Sequence, residues 1–221
     1  MKVTMAVDPS ESAHPERSAV IVIDPQHDFC SEDGALARRF GYDMKDIQAT
    51  VPTLNAFIQD ARRHGVLVVW VREVYAESKM RESHKSHRCR DGDIWIIREG
   101  SKGVEWYEGM VPPLEDEPVI TKWHYDAFED TDLGLLLESR KISTVVMTGF
   151  TTNVCVETSA RHAYIKGYHV ILVTNCCSAP TRQEHESAVF NIGHYFGRLT
   201  TADDLTHEWS RFGTPAITAA M

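Results

Sequence analysis

The sequence predicts a single three-layer α/β/α domain built on a mainly parallel sheet, and three observations predict it. Short apolar runs such as SAVIVID (residues 18–24) and VLVVWVRE (66–73) are too continuous for strands with one wet face, so they read as strands buried on both sides. Segments of helical period separate them. Strand and helix then alternate with no internal repeat, low-complexity tract or linker, the pattern of βαβ units in one sheet covered on both faces.

The elements follow in order. After the run at 18–24, residues 50–65 read as a helix: Leu54, Phe57, Ile58 and Ala61 have helical spacing, Pro52 suits a first turn and Gly65 a C′ position. A second strand covers 66–73 and a shorter third covers 118–123. Residues 130–141 read as a helix with Asp130 as candidate N-cap. A fourth strand at 143–149 leads into a helix over 156–167, whose stripe is Val156, Ala160, Ala163 and Tyr164. A fifth strand (168–175), a helix (182–197) and a short sixth strand near 197–201 complete the unit. The domain spans 18–212, between an N-terminal arm (1–17) and a C-terminal tail (213–221). Residues 75–113, rich in charge, Trp and Gly, form the least regular stretch. Such an excursion after a strand either shapes a ligand crevice or makes a surface or subunit contact.

The chain has 221 residues, 43% of them hydrophobic and 25% charged, which is enough for a sizeable core. Net charge −9 and a pI near 5.6 argue against a nucleic-acid or anionic-membrane partner. A basic cluster, HKSHRCR (84–90), leaves room for an anionic small molecule. No apolar run is long enough to span a membrane, and the N-terminus has no secretory core, so a cytoplasmic location is expected. The five cysteines form no CxxC pair and no disulfide framework. Cys176 and Cys177, at the end of the fifth strand, read as structural.

Ligands of open α/β sheets bind beyond the carboxyl ends of the strands. Those ends carry a carboxylate (Asp24), an ammonium (Lys122) and, past Gly149, a thiol (Cys155). A thiol is a nucleophile only as thiolate, and a helix start or a nearby lysine lowers its pKa. A carboxylate can accept the thiol proton and return it to a leaving amine. Spacing does not show that the three meet, and a buried packing cysteine is the alternative.

At these residues the chain resembles the isochorismatase-like cysteine hydrolases, which include nicotinamidases and the N-carbamoylsarcosine, ureidoacrylate and biuret amidohydrolases. The motifs are AVIVIDPQHDF, VITKWHYDAF and VVMTGFTTNVCVETSARHAYIKGYHVILVTNCCSA, in that order, and the resemblance covers about residues 18–205. It implies a Rossmann-like sheet, an Asp24–Lys122–Cys155 triad, a cis peptide between Phe150 and Thr151, and an oxyanion hole from the backbone N–H groups of Thr151 and Cys155. It also implies a homo-oligomer, dimer or tetramer, in which the loop from Trp95 to Trp106 would reach a neighbouring subunit's site.

No Asp-x-His triplet follows Asp24, so the metal motif of nicotinamidases is missing. His27, Asp28 and His124 match no specific ligand spacing. Neither metal nor cofactor is expected. The cysteine argues against the isochorismatase branch, which does not use one. What remains is a cysteine-dependent amidohydrolase for a small ureido, N-carbamoyl or carboxamide compound, releasing ammonia, with similarity to biuret and ureidoacrylate amidohydrolases. Candidate substrate contacts are Gln26, Phe29, Arg88, Arg90, His124, Tyr125, Phe128 and Asn153. The rival readings are a catalytically idle binding or assembly protein and a thiol redox sensor.

Overall fold

The computed structural model describes residues 13–90 and 93–213, without the side chain of Arg90. The first twelve residues of the expected arm and the tail beyond 213 lie outside it. In chain order the elements are β1 (Ser18–Ile23), α1 (His27–Cys30), α2 (Ala35–Phe40), α3 (Lys45–Arg63), β2 (Leu67–Glu73), α4 (Glu82–Arg88), β3 (Cys89–Arg90), β4 (Asp93–Ile94), β5 (Val119–Lys122), α5 (Leu133–Ser139), β6 (Thr144–Phe150), α6 (Glu157–Ile165), β7 (His169–Ser178), α7 (Arg182–Tyr195), β8 (Arg198–Thr200) and α8 (Ala202–Ser210).

Six strands form one sheet in the order β5-β2-β1-β6-β7-β8, all parallel. The chain works outward from β1 on one side and then from β6 on the other. The order therefore reverses between β1 and β6, where open α/β sheets place their crevice. Alternate side chains of the central strands feed two cores. Val20, Val22, Val68, Trp70 and Val146 pack with α3 and α8. Ile21, Ile23, Val69, Val71 and Met147 pack with α5, α6 and α7. Burial on both faces is why these runs lack polar alternation.

The structure moves several expected boundaries. Helix α3 begins at Lys45, five residues earlier than predicted, and Pro52 lies inside it. A mid-helix proline costs about 3 kcal/mol. Extending the helix contributes fully buried Met44 and Ile47, each worth about 1.5–3 kcal/mol, so the longer helix wins. Helix α5 is preceded by Asp132, and Asp130 sits in left-handed backbone (φ 54°) rather than at the cap. Strand β7 runs on to Ser178 because a register shift after Met147 lets Cys177 and Ser178 pair with Gly149 and Phe150. The C-terminal helix α8, not separately predicted, buries Trp209 in a stack on Phe57 with ring centroids 5.3 Å apart.

Gly149 has φ +106°, and a Cβ there would lie 2.0 Å from the Ile23 carbonyl oxygen. Only glycine lets β6 approach β1 this closely at the switch point.

Candidate active site

Four polar side chains converge at the carboxyl ends of four strands. Asp24 follows β1, Glu73 ends β2, Lys122 ends β5, and Cys155 lies beyond β6; all are buried. Asp24 takes positive φ (50°), a strained choice for a non-glycine residue, and its N–H donates to Val71 O at 2.9 Å. That bond fixes the bend that turns its carboxylate into the site. The peptide between Phe150 and Thr151 is cis. Past it, residues Thr152–Val156 form a widened turn in which the Val156 N–H reaches Thr151 O, five residues back, at 3.3 Å. Cys155 sits inside this turn, two residues before α6.

Lys122 is the hub. Its Nζ lies 2.8 Å from Asp24 Oδ2 and 3.4 Å from Glu73 Oε2. It donates to His124 O at 3.0 Å and contacts Cys155 Sγ at 3.4 Å. Cys155 Sγ in turn lies 3.6 Å from Glu73 Oε2. The Lys122 ammonium and the Cys155 thiol both bear on the Asp24 carboxylate, so a proton acceptor stands beside the thiol.

Burial dominates the electrostatics. It pushes Asp24 up to about 7, with Lys122 opposing and Glu73 adding to the rise. It pushes the Cys155 thiol well above its ordinary value, with Lys122 opposing and the two carboxylates reinforcing. Lysine and helix start were expected to lower that pKa; removal from water outweighs them, and the thiol is protonated at rest. For Lys122, burial works against the ammonium, but Asp24, Cys155 and Glu73 together raise its pKa, so it stays charged. The donor atoms of Asp24, Glu73 and Cys155 lie within 4.8 Å of one another, a spacing that would suit a metal ion. The Lys122 ammonium already stands among them and supplies the positive charge there.

Above the thiol opens a cavity of about 170 Å³. Of the predicted substrate contacts, Phe29, Arg88, Tyr125 and Asn153 line it, as do Thr151 and Cys155 of the expected oxyanion hole. Gln26 does not. Its amide donates to Glu73 O (2.9 Å) and Val104 O (3.1 Å) and accepts from the Glu73 N–H (2.8 Å), clamping the end of β2. His124 faces an adjoining cavity with His84 and His87. Burial, then Lys122, lowers its pKa and keeps the imidazole neutral. Phe128 belongs to the core, its ring 5.4 Å from His162 and 5.9 Å from Tyr168. The chain has turned away from the sheet's rim by then. The Arg90 side chain lies outside the described residues. Asp28, weighed as a ligand, instead accepts the N–H groups of Ala35 (2.9 Å) and Ile97 (2.6 Å), and His27 pairs with Asp33 at 3.1 Å. Trp95 lines this chain's own cavity, and Trp106 packs on Trp70.

Two residues escaped the sequence reading. Glu73 is the last residue of a strand, the same signal that singled out Asp24 and Lys122. Tyr75 donates to Glu73 Oε1 at 2.7 Å and accepts from Arg88 Nε at 3.3 Å. Burial and the charge of Glu73 push its phenol above the ordinary value, so it keeps its proton and remains a donor.

A buried thiol beside a carboxylate and an ammonium, under a cavity at the switch point of a parallel sheet, defines a cysteine-type hydrolase. The chain belongs to the isochorismatase family: the isochorismatase domain matches residues 18–204. It is 30% identical over 203 residues to the ureidoacrylate amidohydrolase RutB of Enterobacter sp. (strain 638), covering 86% of this chain and 88% of that protein. It is 27% identical over 195 residues to a probable inactive nicotinamidase of Arabidopsis thaliana, covering 87% of this chain and 94% of that one. The crystal structure of a cysteine hydrolase from Pseudomonas syringae pv. phaseolicola superposes with a TM-score of 0.80 at 25% identity, covering 90% of this chain and 94% of that one. Among the described residues no helix is long and apolar enough to cross a membrane.

Proposed function

We propose that the protein is a cysteine-dependent amidohydrolase that cleaves a C–N bond in a small ureido, N-carbamoyl or carboxamide compound, of the biuret or ureidoacrylate type, and releases ammonia. The observation that carries this reading is the Asp24–Lys122–Cys155 cluster beneath a cavity. Its support by similarity is the ureidoacrylate amidohydrolase named above.

In this scheme ionised Asp24 accepts the thiol proton as Sγ bonds to the substrate's carbonyl carbon. Lys122, between them, keeps the migrating negative charge paired. The backbone N–H groups of Thr151 and Cys155 receive the oxyanion; loss of one such donor typically costs about 10²–10³-fold in rate. Asp24 returns the proton to the departing nitrogen, which leaves as ammonia and a carbonyl thioester. Water, deprotonated by Asp24, then adds to the thioester. The C–S bond breaks, and the thiolate recovers its proton.

The cluster also serves to weigh the rivals. An idle binding protein, suggested by the inactive relative, would need none of the four buried charged or nucleophilic groups. A redox sensor needs a low-pKa, accessible thiol, and Cys155 is buried with its pKa raised. Self-association is part of the proposal, supported by exposed Tyr164, Ile165, Phe190 and Tyr195 on α6 and α7.

The test is ammonia release from biuret, ureidoacrylate, N-carbamoyl amino acids, nicotinamide and simple carboxamides, by wild type and Cys155→Ser. Turnover of a ureido compound that falls at least about 10³-fold in the variant supports the scheme. Full activity without the thiol sinks it, and binding without turnover across the panel favours the idle protein.

A further inference from the structure

We infer that Arg88 is the anchor for a carboxylate on the substrate, so that the enzyme selects short-chain ureido or carboxamido acids over their uncharged counterparts; this rests on the amidohydrolase reading above. Arg88, at the end of α4, lines both the cavity over Cys155 and the adjoining one. Its guanidinium makes hydrogen bonds to two phenols, Tyr75 and Tyr125, and lies over the rings of Tyr75, Trp95 and Tyr125 at 5.9, 5.7 and 4.9 Å. Among the described residues no carboxylate reaches it.

The contrast with the other charges at and beneath the cavity is sharp. Lys122 is neutralised by Asp24 and Glu73. Glu73 is held by Tyr75 and Lys122, and Glu184 accepts both the N–H and the hydroxyl of Thr181 in the cap of α7. Among the described residues lining the cavity over Cys155, Arg88 is the one cation, and no salt bridge ties it up. A planar guanidinium with free N–H groups, braced by aromatic faces, is built to hold a carboxylate. Exposed Arg39 lies 4.6 Å over the ring of Trp95, which lines the cavity, and adds a second positive charge nearby. In a chain of net charge −9, such local charge is needed to draw an anion inward.

A chain of contacts bounds the spacing from above. From Sγ the path to the guanidinium runs across the Glu73 carboxylate and the Tyr75 hydroxyl, with contacts of 3.6, 2.7 and 3.3 Å. A substrate whose carbonyl meets Cys155 while its acid meets Arg88 carries the two groups a few bonds apart.

The experiment compares 3-ureidopropionate with propylurea, which replaces the carboxylate by methyl, in wild type, Arg88→Gln and Arg88→Lys. Wild type should favour the acid in kcat/KM by about 100-fold, the range for a charge-assisted pair. Arg88→Gln should collapse the ratio toward one, chiefly through KM, and Arg88→Lys should restore part of it. Added salt should weaken the preference in wild type and not in Arg88→Gln. A ratio unchanged by Arg88→Gln, or wild-type preference for propylurea, overturns the proposal. Calorimetric binding to Cys155→Ser separates it from the catalytic reading. Arg88-dependent binding of the acid, with no wild-type turnover of it or of any compound in the panel above, refutes the amidohydrolase and upholds the anion site. Equal binding of acid and propylurea refutes the anion site whatever the turnover.

Discussion

Replacing Lys122 by methionine tests the electrostatic account of the site most directly. The ammonium lies 2.8 Å from one buried carboxylate and 3.4 Å from another. At an effective dielectric of about 20, those distances correspond to attractions of about 6 and about 5 kcal/mol. Burying the ammonium consumes several kcal/mol of that gain, and breaking a buried pair typically costs about 3–5 kcal/mol net. The variant should lose that much stability near neutral pH. The pH dependence gives a second, sharper mark. Asp24 titrates at about 7 with Lys122 present, and without it the value must move higher. A carboxyl whose folded-state pKa is raised stabilises most below its unfolded pKa, and that stability is lost as pH rises through the folded pKa. Both proteins lose stability from this group between about 4 and 7. Above 7 only the variant goes on losing it, so the gap widens by up to about 1.4 kcal/mol per pH unit. Urea unfolding at about pH 6, 7.5 and 9 reads this directly. A deficit under about 1 kcal/mol, with no widening above pH 7, would falsify the view that the Lys122 ammonium eases the ionisation of buried Asp24.

Three further outcomes are expected. Since Asp24 must be ionised to accept the thiol proton and titrates at about 7, kcat/KM should fall about tenfold per pH unit below that point, and a flat profile from about pH 5 to 8 would contradict the role. Glu73→Gln removes a charge that raises both Asp24 and Cys155, so the acid limb should move to lower pH and the thiolate absorbance should appear earlier in a titration; unmoved curves would show Glu73 to be inert. Gly149→Ala sets a Cβ 2.0 Å from Ile23 O at φ +106° and should cost at least about 2 kcal/mol in thermal unfolding, whereas an unshifted Tm would mean that β6 can back away from β1.

Much of this was legible along the chain. Runs such as 18–24 and 66–73 announce buried parallel strands by their lack of alternation; the sheet order, with its return from β5 at the edge to β6 beside β1, shows only in the structure. Asp24 and Lys122 stood out because both end buried strands, and a lysine there is rarely buried unpaired. Glu73 satisfies the same rule but reads as the polar tail of VLVVWVRE until β2 is laid beside β1. Gln26 and Phe128 show the opposite failure. Both are adjacent in sequence to the site, yet one is spent on backbone groups of β2 and residue 104, and the other is folded under α6.

The sequence by itself determined the layers, the strand ends and the residue types gathered there, because hydrophobic period and strand-terminal polarity are local signals. The tertiary structure decided the protonation of those residues and their partners. Desolvation depends on how many protein atoms close over a group, and that number comes from every strand and helix around it. Hence a thiol that a nearby lysine and helix start should have ionised is a protonated thiol, and a carboxylate ordinarily ionised well below neutrality titrates at about 7.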